Sequence, residues 1–151
     1  MKKRKAFTLL ELVFVIVVIG ILSVVAVPKL APLIGDAKMA KARDTLAAVR
    51  SALATERQKR ILRGVYTQIS DLGDSTYAFS NFDNNSSRPV LEYSVENCAS
   101  ATSTSCWIRD GSVTPKTFTY RFSGGGDAKY KLERSRLVCD DTADDCKKLL
   151  K

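Results

Sequence analysis

The chain contains no histidine. It therefore lacks the side chain that most often moves protons near neutral pH, and the commonest metal-binding imidazole. Cysteine is absent until Cys98, and the four cysteines that follow (Cys98, Cys106, Cys139 and Cys146) are spaced C-x7-C and C-x6-C. Zinc sites use the tighter C-x2-C spacing, and no histidine is there to complete a ligand set. There is no nucleophile elbow, and Gly124-Gly125-Gly126 does not fit the phosphate-loop pattern G-x-x-x-x-G-K-[ST]. Neither catalysis nor a cofactor is expected. Charge is scarce too, but only in one place: the 21 residues from Phe7 to Val27 carry a single charged side chain, Glu11.

That run sets the organisation of the chain. About 20 helical residues cover the ~30 Å hydrocarbon core of a bilayer. Its many β-branched residues would suit a strand in water, but a single span in lipid must satisfy its own backbone, so helix prevails. A charge within such a span costs roughly 2.5–3.5 kcal/mol on insertion scales, which marks Glu11 as a functional residue. The structural alternative is a carboxylate near the helix end that reaches for the interface. Six residues precede the run, MKKRKA, four of them basic. An ordinary secretory signal is longer and loses its apolar region with the leader. A small-residue cut near Val24 to Val27 would leave Pro28 directly after it, which disfavours that processing. Pro28 also lacks an N–H and crowds the carbonyl of Val24, so Gly20 and Pro28 are the weak points of the helix.

The residues Lys2 to Lys5, Ala6-Phe7 and Phe7-Thr8-Leu9-Leu10-Glu11 together resemble the amino-terminal signature of the type IV pilin and type II secretion pseudopilin family, the class III prepilin signal. The resemblance covers about residues 1–35. It implies a cytoplasmic leader (1–6), a prepilin peptidase junction at Ala6-Phe7, and N-methylation of Phe7. The residue before the cut is Ala6, where the family usually has glycine. Glu11 would pair with the Phe7 amine of a neighbouring subunit, and the stretch from Gly20 to Pro28 would unwind as subunits pack. The implied fold is α+β, with a long amino-terminal helix, half membrane (7–27) and half amphipathic (28–63), packed on a small antiparallel sheet in a C-terminal domain (64–151).

The formal net charge of +8 is consistent with this division. Four positives lie in the leader; residues 7–63 hold nine basic and four acidic residues, and residues 64–151 hold eleven and twelve. The high pI thus reflects a basic leader and a basic helix, as positive-inside anchoring and helix packing would give. No specific nucleic-acid partner is inferred, because neither helix-turn-helix nor zinc-finger spacing is present. Beyond the span, Ala42, Leu46, Val49 and Leu53 form a stripe at helical spacing, Arg57 to Arg63 read as a solvated, dipole-matched helix end, and Gly64 is a stop. Strands are expected at Val90–Val95 and Cys106–Ile108, and in the alternating segments around Phe118-Tyr120-Phe122 and Tyr130-Leu132, with a hairpin loop at Ser123–Asp127. Trp107, beside a cysteine, reads as core.

An even cysteine count beyond a membrane segment suggests disulfides made in an oxidising compartment. Four cysteines allow three connectivities. The local one, Cys98–Cys106 and Cys139–Cys146, is preferred, each short loop being worth ~2.5 kcal/mol in the chain-entropy model. Asp140, Asp141, Asp144 and Asp145 are candidate Ca²⁺ ligands, since some pseudopilins bind calcium near the C-terminus, but the loop glycine and glutamate of an EF-hand are missing. An exposed acidic loop, bracketed by a disulfide as in the family, is the simpler reading. Asn85 lies in Asp83-Asn84-Asn85-Ser86-Ser87 and is a candidate glycan acceptor, against the simpler reading of an exposed turn.

The expected function is a structural pilus subunit, polymerising into a surface filament for adhesion, motility or DNA uptake. The alternatives are a pseudopilin of a type II secretion system and a signal-anchored periplasmic or surface binding domain. The expected partners are identical subunits, the prepilin peptidase, the inner-membrane assembly machinery and, before assembly, the lipid bilayer. The precursor is expected as a single-pass inner-membrane protein with a periplasmic C-terminal domain, and the product at the cell surface, or in the periplasm if a pseudopilin.

Overall fold

The computed structural model describes residues 7–140 and 144–150, except for the side chains of residues 27, 28, 31 and 144. The leader with Ala6, and Asp141 of the acidic loop, lie outside the described residues. One helix, α1, spans Leu9–Leu62, two residues later in its start than the sequence suggests. It continues without interruption at Gly20 and Pro28. It ends where Gly64 adopts φ 74°. The Val65 N–H donates to the Arg60 carbonyl at 2.9 Å, and the Gly64 N–H to that of Ile61 at 2.9 Å. This is a Schellman cap, whose left-handed residue glycine tolerates without penalty.

The chain divides into two compact units, residues up to Asp36 and Ala37–Lys151. In the first, the segment Leu9–Ala26 is long and apolar enough to cross a membrane, and none of it is buried. Phe7, Leu9, Leu10 and Phe14 are each more than two-thirds exposed.

The second unit holds the core. Strands β1 (Tyr77–Phe79) and β2 (Val95–Glu96) form a small antiparallel pair. Strands β3 (Cys106–Asp110), β4 (Thr117–Arg121), β5 (Asp127–Glu133) and β6 (Arg136–Cys139) form an antiparallel sheet in chain order. Short 3₁₀ turns occupy Phe82–Asn84 and Asp144–Leu149. The predicted helical stripe is buried: Ala42, Leu46, Val49 and Leu53 are each at most 2% exposed. It shares one cluster with the inward row of the sheet, namely Phe118, Tyr120, Ala128, Tyr130, Leu132 and Leu137. Alternation along β4 and β5 puts these side chains on one face, and the register sets Phe118 against Tyr130. Phe79 stacks on Phe118 with centroids 5.1 Å apart and meets Trp107 edge-on at 5.2 Å. Trp107 is 3% exposed, so it is core.

Two expectations need correction, and one strand is additional. Residues 90–94 are not a strand, and only Val95–Glu96 pairs. Val90 is instead anchored singly, its N–H donating to the Ser80 carbonyl at 2.8 Å, while Tyr93 points outward, 80% exposed. Strand β6 was not foreseen. Its hairpin turns at Arg134 (φ 49°) and Ser135 (φ 61°), where glycine or asparagine is the usual signal, at a cost of roughly 1–3 kcal/mol each. The buried Ser135 hydroxyl helps hold that turn, accepting from the Ile69 N–H at 2.8 Å. Arg60 is not solvated but 6% exposed.

We expect Phe118→Ala to lower stability by about 3–5 kcal/mol, and Tyr93→Ala by less than about 0.5 kcal/mol, in denaturant titrations of the detergent-solubilised chain. Similar losses for the two would contradict the placement of the core.

Candidate assembly site

The site begins at the first turn of α1. Thr8 precedes the first helical residue, and its hydroxyl accepts from the Glu11 N–H at 3.2 Å. Thr8 is thus the N-cap and Glu11 the third helical residue, where a carboxylate meets the positive end of the helix dipole. The sequence Thr8-Leu9-Leu10-Glu11 carries the T-x-x-E signal of this cap. Phe7, 78% exposed, sits directly before the cap. Glu11 is exposed as well. A cap explains why a carboxylate is tolerated in the first turn, but it leaves the side chain open to a partner from outside the chain. Behind it, the exposed segment from Leu12 to Ala26 offers apolar surface, interrupted by Ser23, whose hydroxyl donates to the Ile19 carbonyl at 2.7 Å.

This arrangement puts an exposed aromatic, an exposed carboxylate in a capped first turn and an uncovered apolar helix within one short segment. The family described as "Prokaryotic N-terminal methylation motif" matches residues 1–27. Residues 1–27 carry a class III prepilin signal. The chain is also similar to the "Type IV narrow pilus major component PilA5" of Thermus thermophilus, 52% identical over 52 residues, which cover 34% of this chain and 45% of the relative. The match thus spans less than half the length of that curated relative. No solved structure matches the chain. Together, the prepilin signal, the long helix and the small antiparallel sheets make the architecture an α+β, pilin-like fold.

The remaining predicted site residues lie in the second unit. Disulfides join Cys98 to Cys106, with Cα atoms 5.4 Å apart, and Cys139 to Cys146, at 6.0 Å. The second ties β6 to the final 3₁₀ turn, which is also held to α1 where Arg43 donates to the Lys148 carbonyl at 2.9 Å. Among the described residues no acidic group gathers into a metal-holding cluster. Asp140 faces Lys131 at 3.2 Å and Asp145 faces Lys148 at 2.5 Å. The side chain of Asp144 lies outside the described set, as does Asp141.

Asn85 is exposed, and its side-chain oxygen accepts from the Ser87 N–H at 3.0 Å. Asp83, part of the same acceptor pattern, has a different occupation that sequence reasoning missed. It accepts from Arg60 at 2.6 Å, from the Ser70 N–H at 2.7 Å and from the Ser70 hydroxyl at 2.8 Å. Arg60 also pairs with Glu56 at 3.1 Å. The i, i+4 spacing of Glu56 and Arg60 was visible, but Asp83 is 23 residues further on and no local pattern signals it. A second pair, Arg109 with Asp71, is likewise non-local, Nε donating to the carboxylate at 2.7 Å.

Burial opposes ionisation of Asp83, but the hydrogen bonds from Arg60 and Ser70 outweigh it and hold the carboxyl below its ordinary range. A depressed carboxyl stabilises the fold above its unfolded pKa, and that contribution is lost as pH falls through the folded value. We therefore expect Asp83→Asn to lower the melting temperature at neutral pH, with the deficit shrinking below about pH 4. A deficit independent of pH would contradict an ionised Asp83.

Proposed function

We propose that the chain is a structural subunit of a type IV pilus, stored in the inner membrane through α1 and polymerised through the same helix. The observation that carries this reading is a helix with an uncovered apolar half, headed by an exposed Glu11, in a chain bearing the N-terminal methylation motif. Similarity to a narrow-pilus major component supports it. In this reading the peptidase cuts between Ala6 and Phe7, and the new amine of Phe7 is methylated. The Glu11 carboxylate pairs with the Phe7 amine of the adjoining subunit. Pairing neutralises two charges that an apolar medium penalises, so it favours the assembled state over the separate one. Identical subunits, the peptidase and an inner-membrane assembly machine are the partners, and the folded C-terminal unit lies on the periplasmic side before export. Unwinding between Gly20 and Pro28 belongs to the packed state, since α1 is continuous there in the single chain.

The test is substitution at Glu11. Glu11→Ala and Glu11→Gln should leave the amount of protein in the membrane unchanged and abolish filaments, counted by electron microscopy. Filaments of normal number and length in both variants would remove the proposed role of the carboxylate.

A further inference from the structure

Two overlapping N-x-[ST] sequences share one loop, Asn84-Asn85-Ser86 and Asn85-Ser86-Ser87. The pattern alone does not choose between them, but the structure does. Asn84 closes the 3₁₀ turn Phe82–Asn84 in left-handed backbone, at φ 57°. Asn85 follows in extended backbone, with φ −93° and ψ 106°. Its side-chain oxygen accepts from the Ser87 N–H at 3.0 Å, an Asx turn that holds the asparagine beside the serine two residues on. Residues 84–88 are all exposed. The base of the loop is fixed. The Arg88 N–H donates to the Asn85 carbonyl and the Phe82 N–H to that of Arg88, both at 2.9 Å, while Phe82 is buried.

Three features point to chemistry at Asn85. Its amide nitrogen and the Ser87 hydroxyl make no hydrogen bond among the described residues, so both are open to an enzyme. The Ser87 N–H sits on Oδ1, the atom onto which charge moves when Nδ2 gives up a proton. Beside the loop, a groove of about 680 Å³ separates it from α1, lined in part by Ser51, Thr55, Lys59 and Arg63 of the helix and by Ser87 and Arg88. Hydroxyls and cations are hydrogen-bond partners for sugar hydroxyls and sugar carboxylates. A glycan anchored at Asn85 therefore has room and polar partners next to its attachment. The carboxylate of Asp83, by contrast, is filled by Arg60 and Ser70, so recognition rests on Asn85 and Ser87.

We propose that Asn85 carries an N-linked glycan, taken from a polyprenyl-diphosphate-linked oligosaccharide. Asn85 Nδ2 attacks C1 of the first sugar and loses a proton to a base of the transferase. The C1–O bond breaks, and its electron pair leaves on the polyprenyl diphosphate. The proposal rests on the reading that places the second unit on the periplasmic side, and it needs no filament. The test is mass spectrometry of the full chain, purified from its native host without reducing agent and digested with trypsin. Trypsin spares Arg88-Pro89, so one peptide, 64–109, holds Asn85 together with Cys98 and Cys106. Most copies should be heavier by one or more sugars, which electron-transfer fragmentation places on Asn85, and should carry the Cys98–Cys106 disulfide. Asn85→Gln and Ser87→Ala should each remove the added mass, and Ser87→Thr should keep it. So should Asn84→Gly, since glycine suits the positive φ there. All three positions are exposed, which spares the core in every variant. An oxidised but unmodified peptide would overturn the proposal and leave the periplasmic placement standing. A reduced and unmodified peptide would overturn both. Sugar on Asn84, sugar on the serines and threonines of residues 99–105, or added mass that survives Ser87→Ala would likewise overturn the proposal.

Discussion

The apolar surface between Leu9 and Ala26 is uncovered by the other described residues, and the proposed behaviour of the protein follows from that. Burying one large aliphatic side chain is worth about 1.5–3 kcal/mol. More than ten such side chains stand exposed in this segment, so leaving it in water costs on the order of tens of kcal/mol. Lipid can cover it, and so can copies of the same helix. On the proposed filament reading, the chain can move between these two surroundings with little net change in hydrophobic energy. In that reading a polar contact discriminates the assembled state from the stored one, and Glu11 is the one ionisable side chain in the segment.

The second unit solves the opposite problem. Its core is built from a sheet of four strands and one helix stripe that covers it. Aromatic side chains fill the space efficiently, and two short disulfides fasten the segments that have few paired strands. Loops without regular structure are fastened by charge instead. Asp83 and Asp71 each accept from neighbouring backbone N–H groups and from a distant arginine, which pins residues 69–90 to α1 and to β3. These pairs are largely shielded, so breaking one leaves a poorly solvated charge behind.

What the sequence disclosed, and what it hid, divides along the range of the interactions. The membrane run, the helical stripe at Ala42, Leu46, Val49 and Leu53, the alternation of β4 and β5, and the glycine stop at Gly64 are all encoded within a few residues, so periodicity alone reveals them. The strand expected at Val90 failed because apolar residues there have one backbone anchor and no partner strand for most of their length. Strand β6 escaped notice because Arg134-Ser135 is an unusual turn, stabilised by a hydroxyl contact to a residue 66 positions away. At the candidate assembly site, Phe7 and Glu11 were legible as a pattern, and the capping role of Thr8 was present in that pattern as well. The ion pairs of Asp83 and Asp71 depend on elements brought together only by folding.

The measurement that tests the account most directly is the mass of the amino-terminal peptide of the protein, taken from native membranes and from material sheared off the cell surface. A peptide that begins at Phe7 and is heavier by one methyl group, present in both fractions, is the expected result. Its confinement to the cell envelope would contradict a surface pilus and point to a periplasmic filament. A peptide that begins at Met1, in cells whose prepilin peptidase is active on other substrates, would contradict the account at its root: the chain would be an anchored domain, and α1 would have no second surrounding to enter.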